Sequence, residues 1–239
     1  MEIQSIHCNT IFCQNGDLSA PKWFLTNPVN NITGVKLKNF SIPLSVYLFD
    51  SRNSKFAFVE STSSGTTRIG SITPGNYNGT TLATELTTQL NVNGTFTYTV
   101  SWNQNNNTLS ITSSGGTVKF VATQNDAYHE LGLNNLLNNS LATTNTGILN
   151  LIGVQQIHIV SNVGGCDIVG SSFKTLGVLM ISQKALDLST TEDFSSDYLD
   201  SNCNDLTEIS IGLYDDRFRK ITPQTDYSFT LNFIIDKLN

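Results

Sequence analysis

The chain has 239 residues, a mass of 26.1 kDa and a formal net charge of −6. Only 13% of its residues are charged, against roughly 25% in an average soluble domain, and Asn, Ser and Thr take their place. Scattered lysines and arginines exclude the basic stripe that nucleic-acid backbones require, and this composition is poor material for long solvated helices.

The start, Met1-Glu2-Ile3-Gln4, has no basic stretch followed by an apolar run. Neither a signal peptide nor a transmembrane segment is expected, and synthesis in a reducing compartment follows. The lead before Trp23 reads as irregular. Val35 and Leu37 then alternate with Lys36 and Lys38, the signature of a strand with one buried face. Pro43 punctuates, Val46-Tyr47-Leu48-Phe49 is a short apolar run, residues 50–54 form a turn, and Phe56 and Phe58 continue as strand. The opening third therefore reads as a β-meander.

Residues 67–147 differ in character. Ile72-Thr73-Pro74-Gly75-Asn76-Tyr77 is a turn. Leu82, Leu86 and Leu90 repeat every four residues and predict a helix over about 81–91, capped by Thr80 or Thr81 and ended by Asn93-Gly94. Phe96, Tyr98, Val100 and Trp102 alternate with small polar residues, and strands follow at 109–112 and 118–121. This segment has its own apolar faces and reads as an inserted small α+β domain, flanked by a main domain of 1–66 plus 148–239.

From 148 the two-residue period resumes. Ile157 and Ile159 flank His158, and 173–181 is apolar enough to be covered on both sides. Residues 187–205 carry Asp187, Glu192, Asp193, Asp197, Asp200 and Asp205 and read as a long acidic loop. Ile209, Ile211 and Leu213, then Tyr227, Phe229, Leu231, Phe233 and Ile235, read as a closing hairpin. About eight strands outside the insertion give the fold class: all-β, an antiparallel jelly-roll sandwich.

Chemistry is sparse. His7, His129 and His158 lack the close partners of a metal site and read as structural. Cys8, Cys13, Cys166 and Cys203 contain no C-x-x-C pair and read as free thiols. Gly164-Gly165-Cys166 resembles a nucleophile context but, with no paired base, reads as a loop. The acidic run lacks the D-x-D-x-D-G order of a calcium loop and reads as solvated charge. Phe96, Tyr98 and Trp102 would suit a sugar platform, yet period-two aromatics facing the leucine repeat read first as core. The Asn-x-Ser/Thr triplets at Asn31, Asn78, Asn93, Asn106 and Asn138 reflect composition. No catalytic residue, metal ligand or cofactor is assigned, and no enzyme activity is expected.

Three stretches resemble the penton and minor capsid proteins of eukaryotic double-stranded DNA viruses of the adenovirus-like lineage, with its virophage and giant-virus relatives. They are Trp23-Phe24-Leu25-Thr26-Asn27-Pro28 through Val35 to Pro43, the turn at 72–77 with its leucine-repeat helix and Thr-rich strand, and the closing segment Ile209 to Ile235. The resemblance implies a structural virion protein, the pentameric vertex protein of an icosahedral capsid. Its partners would be further copies of itself, neighbouring major capsid proteins and a host receptor or glycan, without nucleic-acid contact or a membrane span. The 67–147 insertion would project outward, and synthesis would take place in the cytoplasm of the infected cell. The alternative is a minor capsid or spike component acting as a receptor- or glycan-binding module. The lineage often carries extended terminal arms, and the short lead before Trp23 departs from that pattern.

Overall fold

Apolar residues at every second position make strands nearly everywhere, but the chain crosses between sheets where simple hairpins were expected. The structure, a computed structural model, describes residues 2–43, 46–61, 65–121, 126–133, 140–141, 143–167, 174–181, 188–192, 198–201 and 205–236. In chain order come β1 (Glu2–Asn9), a 3-10 turn (Thr10–Phe12), β2 (Lys22–Val29) and β3 (Ile32–Pro43). Next are β4 (Lys55–Glu60), β5 (Thr67–Ser71), α1 (Gly79–Asn93), β6 (Tyr98–Asn103), β7 (Thr108–Ser113), β8 (Val118–Phe120), β9 (Ser140–Leu141) and β10 (Thr143–Asn145). The last group is β11 (Gln156–Ser161), β12 (Cys166–Asp167), β13 (Lys174–Met180), β14 (Leu188–Glu192), β15 (Leu199–Asp200), β16 (Leu206–Tyr214) and β17 (Ser228–Ile235).

Two compact units result: Met1–Val46 with Val154–Asn239, and Tyr47–Gly153. The expected limits of 67 and 147 fall inside the second unit. The reason is pairing: β4 bonds β5 on one side and β8 on the other, so residues 55–60 belong to the inserted sheet.

The first unit is an antiparallel jelly roll. One sheet runs β1-β17-β3-β14, with β15 also on β3, and the other runs β12-β13-β11-β16-β2. Setting aside the two-residue strands, the first strand lies beside the last, the second beside the seventh, the third beside the sixth and the fourth beside the fifth. That is one long hairpin rolled into two sheets. Both inner faces meet in a single core. Val35, Leu37, Phe40, Phe229, Leu231 and Phe233 from one sheet pack on Trp23, Ile157, Ile159, Ile209, Ile211 and Leu213 from the other. Trp23 meets Phe229 edge-on at 5.2 Å, and Phe40 stacks on Phe229 at 6.3 Å. A register shift after Thr230 skips Lys38 and returns Phe40 and Ile42 to the inner face.

This order corrects several sequence expectations. The strands at Val35 and at Phe56 are not neighbours in a meander, since β3 pairs with β17, β14 and β15 while β4 pairs with β5 and β8 in another sheet. The lead carrying His7 is a strand. β16 and β17 are no hairpin either, because residues 215–227 carry the chain from one sheet to the other. The acidic run is not loop throughout: Leu188–Glu192 and Leu199–Asp200 pair with β3 as its outer neighbours. β13 is covered on one face only, with Leu176 and Leu179 buried and Met180 61% exposed.

In the second unit, sheets β5-β4-β8-β9 and β10-β7-β6 share a core with α1. The helix starts two residues earlier than its leucine repeat predicts and is capped by Asn78. The Asn78 side chain accepts from Thr81 N at 2.9 Å while Thr81 Oγ1 accepts from Asn78 N at 3.0 Å. Leu82, Ala83, Leu86 and Leu90 are buried. Gly79 is required for space, because a Cβ there would lie 2.1 Å from the Trp102 ring. Threonine is a poor helix former, and Thr84, Thr87 and Thr88 donate their hydroxyls to carbonyls four residues back. Thr87 and Asn91 also bond the backbone of β6. Asn78→Ala is expected to cost about 1 kcal/mol, read as a lower urea midpoint at unchanged slope.

Glu60 ties this unit together. Its carboxylate is buried and accepts from Thr95 N (2.7 Å), Thr95 Oγ1 (2.7 Å), Phe96 N (3.3 Å) and the Tyr98 hydroxyl (2.7 Å). Arg68 Nε lies 2.9 Å away. Burial alone would raise the carboxyl, but the hydrogen bonds from Thr95, Tyr98 and Phe96 outweigh it and hold the group at about 2.

Candidate functional site

The residues that sequence reasoning weighed for chemistry stay apart. His7 lies on β1, its Nδ1 3.0 Å from Thr230 Oγ1 on the neighbouring strand. His129 packs on the Tyr128 ring at 4.1 Å. His158 lies on β11 under the Phe218 ring at 4.7 Å, and Phe218 has the left-handed φ of 56°. Among the described residues no group of three or more His, Cys, Asp and Glu is placed to hold a metal ion.

Cys8 is buried in the core, and burial pushes its thiol up to about 12, so it is no nucleophile at neutral pH. Cys13 is a half-buried free thiol; Cys203 and the side chain of Cys166 lie outside the described residues. Gly164 and Gly165 adopt φ of +153° and +151°, and a Cβ on Gly165 would meet Thr175 O at 2.6 Å. The pair therefore serves close backbone approach. Asp200 and Asp205 are exposed, while Asp187, Asp193, Asp197 and the side chain of Glu192 lie outside the described residues. The aromatic row is no open platform. Tyr98 is buried on Glu60, Phe96 packs against the core, and Trp102 covers Gly79 and donates Nε1 to Asn107 at 3.1 Å.

A different place has the shape of a site. An open groove of about 330 Å³ lies on the jelly-roll unit, lined by Lys22, Asn162, Ser210, Gly212, Tyr214 and Lys220 among others. Alternation builds it. Ile209, Ile211 and Leu213 point into the core, so Ser210, Gly212 and Tyr214 face outward beside Asn162 at the end of β11. Gly212 is the floor: the Tyr214 ring lies over it, and a Cβ would sit 2.8 Å from that ring. The lining is stiff. Asn162 accepts from Ser210 N at 2.8 Å and donates to Glu208 O at 2.9 Å, and Ser161 Oγ donates to Ser210 O at 2.7 Å.

Two ammonium groups flank the groove. Lys22 pairs with Glu208 at 3.0 Å. Lys220 attracts Asp17, whose carboxyl is held below its usual range chiefly by hydrogen bonds from Ser19. Beyond Lys220, Asp215 is fully buried and accepts from Arg217 N, Arg219 N and Arg219 Nε at 2.8–2.9 Å, which fixes the turn at that end. Sequence reading did not single out this groove. Its residues come from four separate stretches, and only the alternation in β16 hints that 210, 212 and 214 share an outer face.

The crystal structure of the mavirus penton protein is similar to this chain at a TM-score of 0.46 and 13% identity, over 98% of this chain and 99% of that one. No curated relative matches the chain. A family model described as a family of unknown function, DUF5901, matches residues 19–195. That match takes in the jelly roll from β2 to β14 with the whole inserted unit, and the chain belongs to the DUF5901 family.

Proposed function

We propose that the chain is a structural protein of an icosahedral virion, the pentameric vertex protein, with the inserted unit offered to the outside of the shell. One observation carries this reading: the jelly-roll strand order, interrupted between its third and fourth strands by a second unit with its own core. The resemblance of three sequence stretches to penton and minor capsid proteins agrees with it. Subunit contacts need apolar surface, and Ile11, Phe12 and Phe24 of the jelly-roll unit are 64%, 74% and 54% exposed. A head-to-tail contact between such sandwiches closes into a ring of five when it turns each copy by a five-fold rotation.

Native mass spectrometry tests this. A species of five times 26.1 kDa is expected, and the double variant Ile11→Ser, Phe12→Ser should run as a monomer with an unchanged circular dichroism spectrum. A dimer, a trimer, or a chain that stays monomeric at high concentration overturns the vertex reading.

A further inference from the structure

We propose that the groove on the outer face of the β2–β16–β11 sheet binds an acidic monosaccharide, a sugar ring bearing a carboxylate. This does not depend on the vertex reading and places glycan binding on the jelly roll, outside the inserted unit.

Three properties of the groove select this ligand. The first is charge. In a chain with only 13 basic residues, two lysines line one groove, and no carboxylate is among its lining residues. Lys22 pairs with Glu208, which is not among the lining residues, and a carboxylate between the two ammonium groups would accept charge-assisted hydrogen bonds from both. The second is size and texture. A volume of about 330 Å³ lies at the small end of ligand sites and suits one sugar ring. Ser210 and Asn162 offer polar atoms to hydroxyls, while Ala20, Val160 and the Tyr214 ring give an apolar wall for C–H edges.

The third property excludes a peptide strand. An added strand needs free backbone donors, and those in the groove are engaged. Ser210 N bonds Asn162 Oδ1, Asn162 N bonds Ser210 O, and Ile211 N bonds Pro21 O. The ligand is therefore held by side chains, as a small polyol acid would be.

Saturation-transfer NMR on the full chain, with glucuronate and N-acetylneuraminate as probes, glucose as the neutral control and inorganic sulfate as a bare anion, tests the assignment. At least one acid should bind with a Kd on the order of 1 mM, more weakly at physiological than at low salt, and glucose should give no signal. The double variant Lys22→Gln, Lys220→Gln keeps the fold, since both side chains lie at the surface, and should weaken binding by about tenfold or more. Silence from both acids, equal binding of glucose, or unchanged binding by the double variant would overturn the proposal. Sulfate displacing the sugar acid at equal concentration would also overturn it, reducing the groove to an anion site.

Discussion

Replacing Glu60 by alanine is expected to destabilise the inserted unit by about 3–5 kcal/mol, the range for breaking a buried ion pair at one partner. The carboxylate is the common acceptor for Thr95, Phe96 and Tyr98, and its loss leaves the buried Tyr98 hydroxyl and two backbone N–H groups without it. Arg68 keeps about a quarter of its side chain in water, at 26%, which points to the lower end of the range. Trp102 reports on this unit, so its fluorescence in a Trp23→Phe background follows the unfolding. A change below about 1 kcal/mol would mean that water replaces the lost acceptor. The pH dependence has a definite sign. The folded carboxyl sits at about 2 against an ordinary 4.5, so its stabilisation is complete above about pH 4.5 and is lost as the pH falls towards 2. Glu60→Gln should flatten the acid limb in that window.

Phe229→Ala is expected to cost the jelly-roll unit about 3–5 kcal/mol, as for other large-to-small core substitutions. Phe229 is fully buried on β17, the strand between β1 and β3, and meets Trp23 of the opposite sheet edge-on. Removing the ring opens a cavity between the sheets that neither backbone ladder can close. Trp23 fluorescence in a Trp102→Phe background reads this unfolding, and a red-shifted native spectrum should accompany it. A loss under about 1.5 kcal/mol would show that Phe40 and Tyr227 repack into the space.

Strands were legible in this sequence, and their partners were not. Alternation at Ile209–Leu213 and Tyr227–Ile235 located β16 and β17 and told which residues face the core. Nothing local says that the two belong to opposite sheets, because their pairing is decided by strands far away in sequence. Polar strands were lost for a related reason. Leu188–Glu192 has no apolar face to alternate, and its ladder to β3 rests on backbone bonds that any side chains permit. β1 was missed because its Ile3 is exposed, which blurs the pattern. The helix was legible from its leucines, although its cap needed geometry. Glu60 and the lysine groove were invisible because each gathers residues from several strands, whereas the conspicuous acidic run drew attention by composition alone.

The pairing of the first strand with the last has a consequence for synthesis. Ser5 bonds Asn232 across 227 positions, so the β1–β17–β3 ladder cannot form until β17 has left the ribosome. At about 5–20 residues per second that is a wait of upwards of about ten seconds. The inserted unit closes over much shorter spans, such as Lys55 with Asp126 across 71 positions, and can fold while β11 to β17 are still being made. During that interval β2 and β3 stand as orphaned strands, and the lysines at 36 and 38 on β3 act as gatekeepers against their premature association with other chains.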